Sequence, residues 1–187
     1  MSKPIVIVAG LGRCGTSLAM QMLAAGGVPC IGRFPAFEEH DPRVLGGRAV
    51  KWLDPHRNPL RVPIDARYKC IWLGRDPHEQ AASQRKFLRL VAGVESHATD
   101  EAWVRSLRDE TVDALRRVPM PRLITTFEGV IERPRATAVM IADFLGRHFR
   151  PLDIDAMAAC VIKRGPECQP GMDIEANLSR VADGVFA

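Results

Sequence analysis

The chemistry legible in this chain sits in two short stretches. In the first, Gly10-Leu-Gly-Arg-Cys-Gly-Thr-Ser17, glycines lead into a basic residue, a thiol and two hydroxyls. The spacing keeps the G-x-x-x-x-G-x-[ST] frame of a phosphate loop, or P-loop. Glycines such as Gly12 and Gly15 let the backbone turn so tightly that successive N–H groups converge, and a helix opening there adds its positive dipole end. Thr16 and Ser17 can add hydroxyl donors, and Arg13 supplies a planar fork suited to phosphate or sulfate oxygens. Cys14 reads as small filler, since no strong base partner is evident for a reactive thiol. The usual lysine is missing, and Thr16 stands in its place. The bland alternative is a glycine turn with no ligand.

The second stretch is Cys70-Ile-Trp-Leu-Gly-Arg-Asp-Pro-His-Glu-Gln-Ala-Ala-Ser83. Arg75 falls at the end of an apolar strand pattern, and Ser83 in the early turns of the helix that follows. Ligands of parallel sheets lie outside the carboxyl ends of the strands, so Arg75 belongs on the same edge as the glycine loop. Two anion sites on one edge suit a nucleotide with phosphates at both ends. The ordinary alternatives are an Arg75–Asp76 surface ion pair and an unremarkable helix serine.

Several elements must position these groups. Residues 4–9 form a continuous Ile/Val-rich run, the mark of a strand buried on both faces. The pattern predicts a helix over 16–25, closed by Gly26-Gly27, and a short strand over 28–31. Residues 33–66 show no sustained period and read as loops. Further strands are expected at 67–74 and 122–126. Helices are expected from Pro77 to about residue 91, and over 101–118, 134–145 and 154–163, with an irregular tail after Gly165. Strands alternating with helices predict an α/β fold, a three-layer αβα sandwich around a central parallel sheet.

Composition narrows the remaining classes. The 187 residues are read as one domain, 47% hydrophobic and 26% charged, with a net charge of +4. Such a bias is compatible with an anionic ligand and too weak to argue for nucleic acid. Five scattered cysteines without a C-x-x-C pair argue against a disulfide framework and a zinc site and favour a reducing compartment. The run near the N-terminus is far short of the roughly 20 residues of a membrane span, and the reading is cytosolic, with no membrane partner.

Gly12-Arg-Cys-Gly-Thr-Ser17 resembles the 5′-phosphosulfate loop of sulfotransferases that use 3′-phosphoadenosine 5′-phosphosulfate (PAPS). Arg75-Asp-Pro and Ser83 resemble that family's 3′-phosphate site. Thr126-Phe-Glu-Gly-Val-Ile-Glu-Arg-Pro134, running into Ala142-Asp-Phe-Leu-Gly146, resembles its later strand-and-helix signature. The resemblance implies a sulfotransferase-like P-loop fold and PAPS as co-substrate, with no metal. It also implies transfer of a sulfuryl group to a hydroxyl or amine, on a small-molecule or glycan acceptor. Gly12 to Ser17, Cys14 included, would surround the 5′-phosphosulfate, with Arg13 at the transferring group, while Arg75 and Ser83 would grip the 3′-phosphate. Family members take their base from the region between the two nucleotide motifs. Here that region offers Phe37-Glu-Glu-His-Asp41, so Glu38, Glu39 and His40 are the candidates, with His56 a further one. Leu18 stands where many relatives carry an aromatic residue near the adenine. Lys163-Arg164-Gly165 is faintly similar to a C-terminal basic segment that contacts the 3′-phosphate. Two other readings stay open: a P-loop kinase or nucleotide hydrolase, and a noncatalytic nucleotide-binding module of the same fold.

Overall fold

Every residue of Ile5–Gly10 (β1) is buried, as the apolar run requires of a strand covered on both faces. In the computed structural model the described residues are 3–38, 46–58, 67–93, 99–149, 151–162 and 165–168. Among them β1, Ala49–Leu53 (β2), Tyr68–Gly74 (β3) and Arg122–Thr126 (β4) form one sheet in the order β2-β1-β3-β4. All its pairings are parallel, with Val8 opposite Lys51 on one side and Ile71 on the other.

Successive side chains of β1 point to opposite faces and so seed two cores. Val6 and Val8 meet Met20 and Leu23 of helix Thr16–Ala25 (α1) in a core that also holds Ile141, Leu145 and Met157. Ile5 and Ile7 meet Trp52, Trp72 and Leu115 on the other face. Leu115 belongs to Glu101–Arg116 (α3), which packs on Pro77–Ala92 (α2). Phe127–Glu132 (α4), Pro134–Leu145 (α5) and Ile154–Ala159 (α6) complete the first face, giving the expected three layers. From β1 the chain goes to β2 on one side and then to β3 on the other. The carboxyl ends of β1 and β3 therefore flank the topological switch point, where open α/β sheets bind ligands.

Three expectations need correction. The segment 28–31 is not a strand but a single bridge, Cys30 to Ala49. Pro29 has no N–H to extend the ladder, and Gly27 and Gly32, at φ 91 and 88, turn the chain on either side. The second strand lies instead at β2, inside the stretch read as loop. Helix α6 ends at Ala159 rather than 163, and Lys163 and Arg164 lie outside the described residues. The short α4 was not expected either. Thr126 caps it by accepting from the Gly129 N–H at 3.1 Å, a local bond strong enough to start a helix that contains a glycine.

Candidate functional site

Between β1 and α1 the chain makes the tight turn its glycines allow. Gly15, at φ 95, caps α1 without a side-chain hydrogen bond, and no acidic residue occupies the first turn. The positive end of this helix thus carries no acidic side chain from its own first turn. Arg13 also adopts a left-handed conformation, φ 68.

Three long-range contacts hold this turn. Asp54, just after β2, accepts from the Gly12 N–H at 2.9 Å, while the Gln80 side-chain amide donates to the Gly12 carbonyl at 2.8 Å. Arg75 Nη1 donates to the Arg13 carbonyl at 3.2 Å. A loop fixed from the ends of β2 and β3 and from α2 is preorganised, so binding costs it little further ordering. The Arg13 guanidinium lies 4.9 Å from the centre of the Phe87 ring, and its Nε donates to Ser83 Oγ at 3.3 Å. Arg13, Arg75 and Ser83, far apart in sequence, therefore share one edge of the sheet.

Arg75 is 6% exposed. Its Nη2 donates to the Pro166 carbonyl at 3.2 Å, and its guanidinium sits 4.4 Å over the Phe127 ring. Its Nε is buried and has no hydrogen-bond partner. Burial works against the charge, pulling the pKa down from its ordinary value. An orphaned donor of this kind costs about 1–3 kcal/mol, a cost that an arriving anion would remove. Phe127 also packs against the loop: a Cβ on Gly15 would stand 2.6 Å from the ring. One aromatic ring thus spaces Arg75 from the start of α1.

The sequence reading missed Lys51. This β2 residue is 2% exposed, and its Nζ donates to Ser17 Oγ at 3.1 Å, to the Ala36 carbonyl at 2.6 Å and to Glu38 Oε1 at 3.1 Å. Burial lowers its pKa, and the adjoining Glu38 carboxylate works in the opposite direction. Lys51 thus brings a cation to the phosphate loop from a neighbouring strand, although the loop itself lacks one at Thr16. The available signal was a lysine in the middle of Ala-Val-Lys-Trp-Leu, directly before Asp54-Pro55.

The other named residues are disposed as follows. Thr16 is buried, and Ser17 is half-buried against Lys51. Cys14 is fully enclosed. Burial pushes its thiol up to about 12, so it remains protonated filler, and its N–H is spent on the Leu11 carbonyl. Glu38 reaches the loop only through Lys51, with half of its side chain exposed. Glu39 and His40 lie outside the described residues. His56 lies apart from Lys51, on the α3 side of the turn, where its Nδ1 is 2.9 Å from Thr111 Oγ1. Leu18 packs against the core. Among the described residues no group of three or more His, Cys, Asp or Glu side chains could hold a metal ion. No described helix is long and apolar enough to cross a membrane.

No family model matches the sequence, and no curated protein matches it. Solved structures do match the fold. Mouse sulfotransferase SULT7A1 complexed with PAP superposes with a TM-score of 0.58 at 16% identity, over 85% of this chain and 63% of that one. Retinol dehydratase in complex with androsterone and inactive cofactor PAP gives 0.54 at 18% identity, over 84% and 63%. The fold is that of the sulfotransferases. A sulfotransferase domain from the curacin biosynthetic pathway is similar over 100% of this chain and 98% of its own, with a TM-score of 0.50 at 12% identity. The chain spans 63% of the length of the first two structures. Within this fold, the loop after β1 and Arg75 after β3 lie at the carboxyl edge of the sheet, beside the point where the strand order reverses.

Proposed function

We propose that the chain is a PAPS-dependent sulfotransferase. The carrying observation is Arg75: a buried guanidinium with one unpartnered donor, bonded to the backbone of a phosphate loop and sharing its edge with Ser83. That arrangement fits a nucleotide with phosphate groups at both its 5′ and 3′ positions, and the PAP-bound neighbours of the same fold support the choice.

In this reading the N–H groups of Arg13, Gly15, Thr16 and Ser17 and the Arg13 guanidinium surround the 5′-phosphosulfate, while those of Gly12 and Cys14 stay on Asp54 and the Leu11 carbonyl. Arg75 and Ser83 hold the 3′-phosphate. In the transfer, an acceptor oxygen or nitrogen bonds to sulfur as the sulfur–oxygen bond to the 5′-phosphate breaks. The bridging oxygen stays on the nucleotide, and the acceptor's proton passes to a base. The chain's work is to stabilise charge on that leaving oxygen and to align the acceptor in line with it. Arg13 stays protonated and acts by its field, and Lys51 adds a second cation through Ser17. Proton removal falls to the acidic stretch of Glu38, Glu39 and His40, of which Glu38 lies on Lys51. No metal is needed.

Incubation with sulfur-labelled PAPS and a mixed panel of hydroxyl and amine acceptors tests the proposal. Label should pass to an acceptor in the wild type and fall at least a hundredfold in Arg13→Ala. Tight binding of the 3′,5′-bisphosphate with no transfer to any acceptor would favour the noncatalytic module. Hydrolysis of ATP with magnesium would favour the kinase or hydrolase.

A further inference from the structure

Three neighbours enclose the Arg75 guanidinium. The Arg13 carbonyl takes Nη1, the centre of the Phe127 ring lies 4.4 Å away, and the Pro166 carbonyl takes Nη2 at 3.2 Å. Arg75 is only 6% exposed, so a phosphate group reaches its donors only when one of these neighbours withdraws. They differ in how firmly they are held. The Arg13 carbonyl belongs to the loop clamped by Asp54 and Gln80, and Phe127 is a buried core residue of α4. Pro166 lies in the short segment 165–168, which belongs to no helix or strand. Its Gly165, Pro166 and Cys168 are half-buried, and Glu167 is exposed.

Among the described residues, two hydrogen bonds tie this segment down. One is the bond from Arg75 Nη2 to the Pro166 carbonyl. The other runs from the Cys168 N–H to Glu79 Oε2, in the first turn of α2. Pro166 has no N–H, so the main chain presents only an acceptor at its position, as a phosphate oxygen would. The segment thus satisfies a donor that an anion would take, and Glu79 anchors it there.

We propose that residues 165–168 form an autoinhibitory plug on Arg75. The Pro166 carbonyl occupies the guanidinium and leaves before a phosphate group takes its place, and Glu79 sets how firmly the plug is seated. This rests on reading Arg75 as the grip on the 3′-phosphate. A site that is open only part of the time binds with an apparent affinity scaled by its open fraction. Weakening the plug therefore tightens binding of a ligand that needs Arg75. A ligand that needs only the phosphate loop is unaffected. A segment that closed over a bound nucleotide would behave in the opposite way, because breaking its contacts would cost affinity.

Calorimetry with the 3′,5′-bisphosphate and 5′-AMP on the full chain tests the plug, together with amide hydrogen exchange read by NMR. Cys168→Pro deletes the N–H given to Glu79, whereas Cys168→Ser keeps it. The bisphosphate should bind Cys168→Pro at least fivefold more tightly than wild type, and Cys168→Ser within twofold of wild type. 5′-AMP should bind all three alike. Glu79→Ala should bind the bisphosphate at least threefold more tightly than Glu79→Gln, which loses the same charge but keeps an acceptor for the Cys168 N–H. In the wild type, saturating bisphosphate should speed exchange of the Cys168 amide at least tenfold. Exchange that is unchanged or slower overturns the plug. So does a bisphosphate affinity not raised in Cys168→Pro, or a gain shared by 5′-AMP. Where the wild type still prefers the bisphosphate to 5′-AMP, those results leave the transfer reading intact. Equal affinities for the two nucleotides in both wild type and Cys168→Pro would sink the transfer reading, and the plug with it.

Discussion

Lys51 and Arg75 are both buried cations, 2% and 6% exposed, and both approach the phosphate loop from a neighbouring strand. They differ in what their donors meet. Lys51 has a hydroxyl, a carbonyl and a carboxylate on its Nζ, so the protein itself completes its environment. Arg75 meets main-chain carbonyls through its Nη atoms and leaves Nε with nothing. A satisfied buried cation can be read as architecture that also lends its field. An unsatisfied one is held in place by surrounding structure and is completed only by something that arrives. In the proposed function this difference gives the nucleotide's distinguishing phosphate to Arg75, and to Lys51 a supporting role at the loop.

Replacing each cation by an apolar side chain of similar length should separate the two roles. Arg75→Met should cost at least a hundredfold in affinity for the 3′,5′-bisphosphate, about 2.7 kcal/mol, while affinity for 5′-AMP stays within threefold. Because a buried ion exchanged for a well-packed hydrophobe is often neutral for folding, thermal denaturation should move little. Lys51→Met should cost only about tenfold in bisphosphate affinity and should lower the rate of label transfer more than it lowers binding. Equal losses at the two positions would erase the distinction.

Gly12 and Gly15 offer a second contrast within the loop. Gly15 is left-handed and its Cβ direction points at Phe127, whereas that of Gly12 meets Gln84 and Asp54 only at ordinary van der Waals distance. Gly15→Ala should therefore destabilise the fold by about 1–3 kcal/mol, read by urea denaturation, and should disturb the spacing of Arg75 from α1. Gly12→Ala should change stability by less than about 1 kcal/mol.

The smallest expected effect concerns the thiols packed beneath this edge. Burial raises Cys14 and Cys70 from 9.0 to about 12 in the folded chain. Both states hold these protons below pH 9, so no penalty appears there. Between 9 and 12 the unfolded chain releases them and the native chain does not, so stability should fall as pH rises, by at most about 1.4 kcal/mol per pH unit for each thiol. Cys14→Ala and Cys70→Ala should each flatten that slope. A slope unchanged in both would contradict the enclosure described for them.

That the loop, Arg75 and Ser83 share one edge of the sheet was legible because their signals are local: a motif frame, a strand end and a helix start. The alternation of strands and helices likewise gave the parallel three-layer architecture. Strand β2 was hidden because a charge stands in the middle of its five residues, and only the folded chain brings Ser17, Ala36 and Glu38 around that charge. The clamp from Asp54 to Gly12 spans 42 residues, and the bond from Lys51 to Ser17 spans 34. No short-range pattern carries contacts of that separation. The misplaced strand at 28–31 has a similar origin. Its apolar composition was right, but Pro29 and the flanking glycines allowed a single bridge.

The account stands most directly on a calorimetric comparison of the 3′,5′-bisphosphate with 5′-AMP on the wild-type chain, with ATP and magnesium as the third ligand. Arg75 as the grip on the 3′-phosphate predicts that the bisphosphate binds at least a hundredfold more tightly than 5′-AMP, independent of magnesium. Equal affinities for bisphosphate and AMP, or tighter binding of ATP with magnesium, would contradict it.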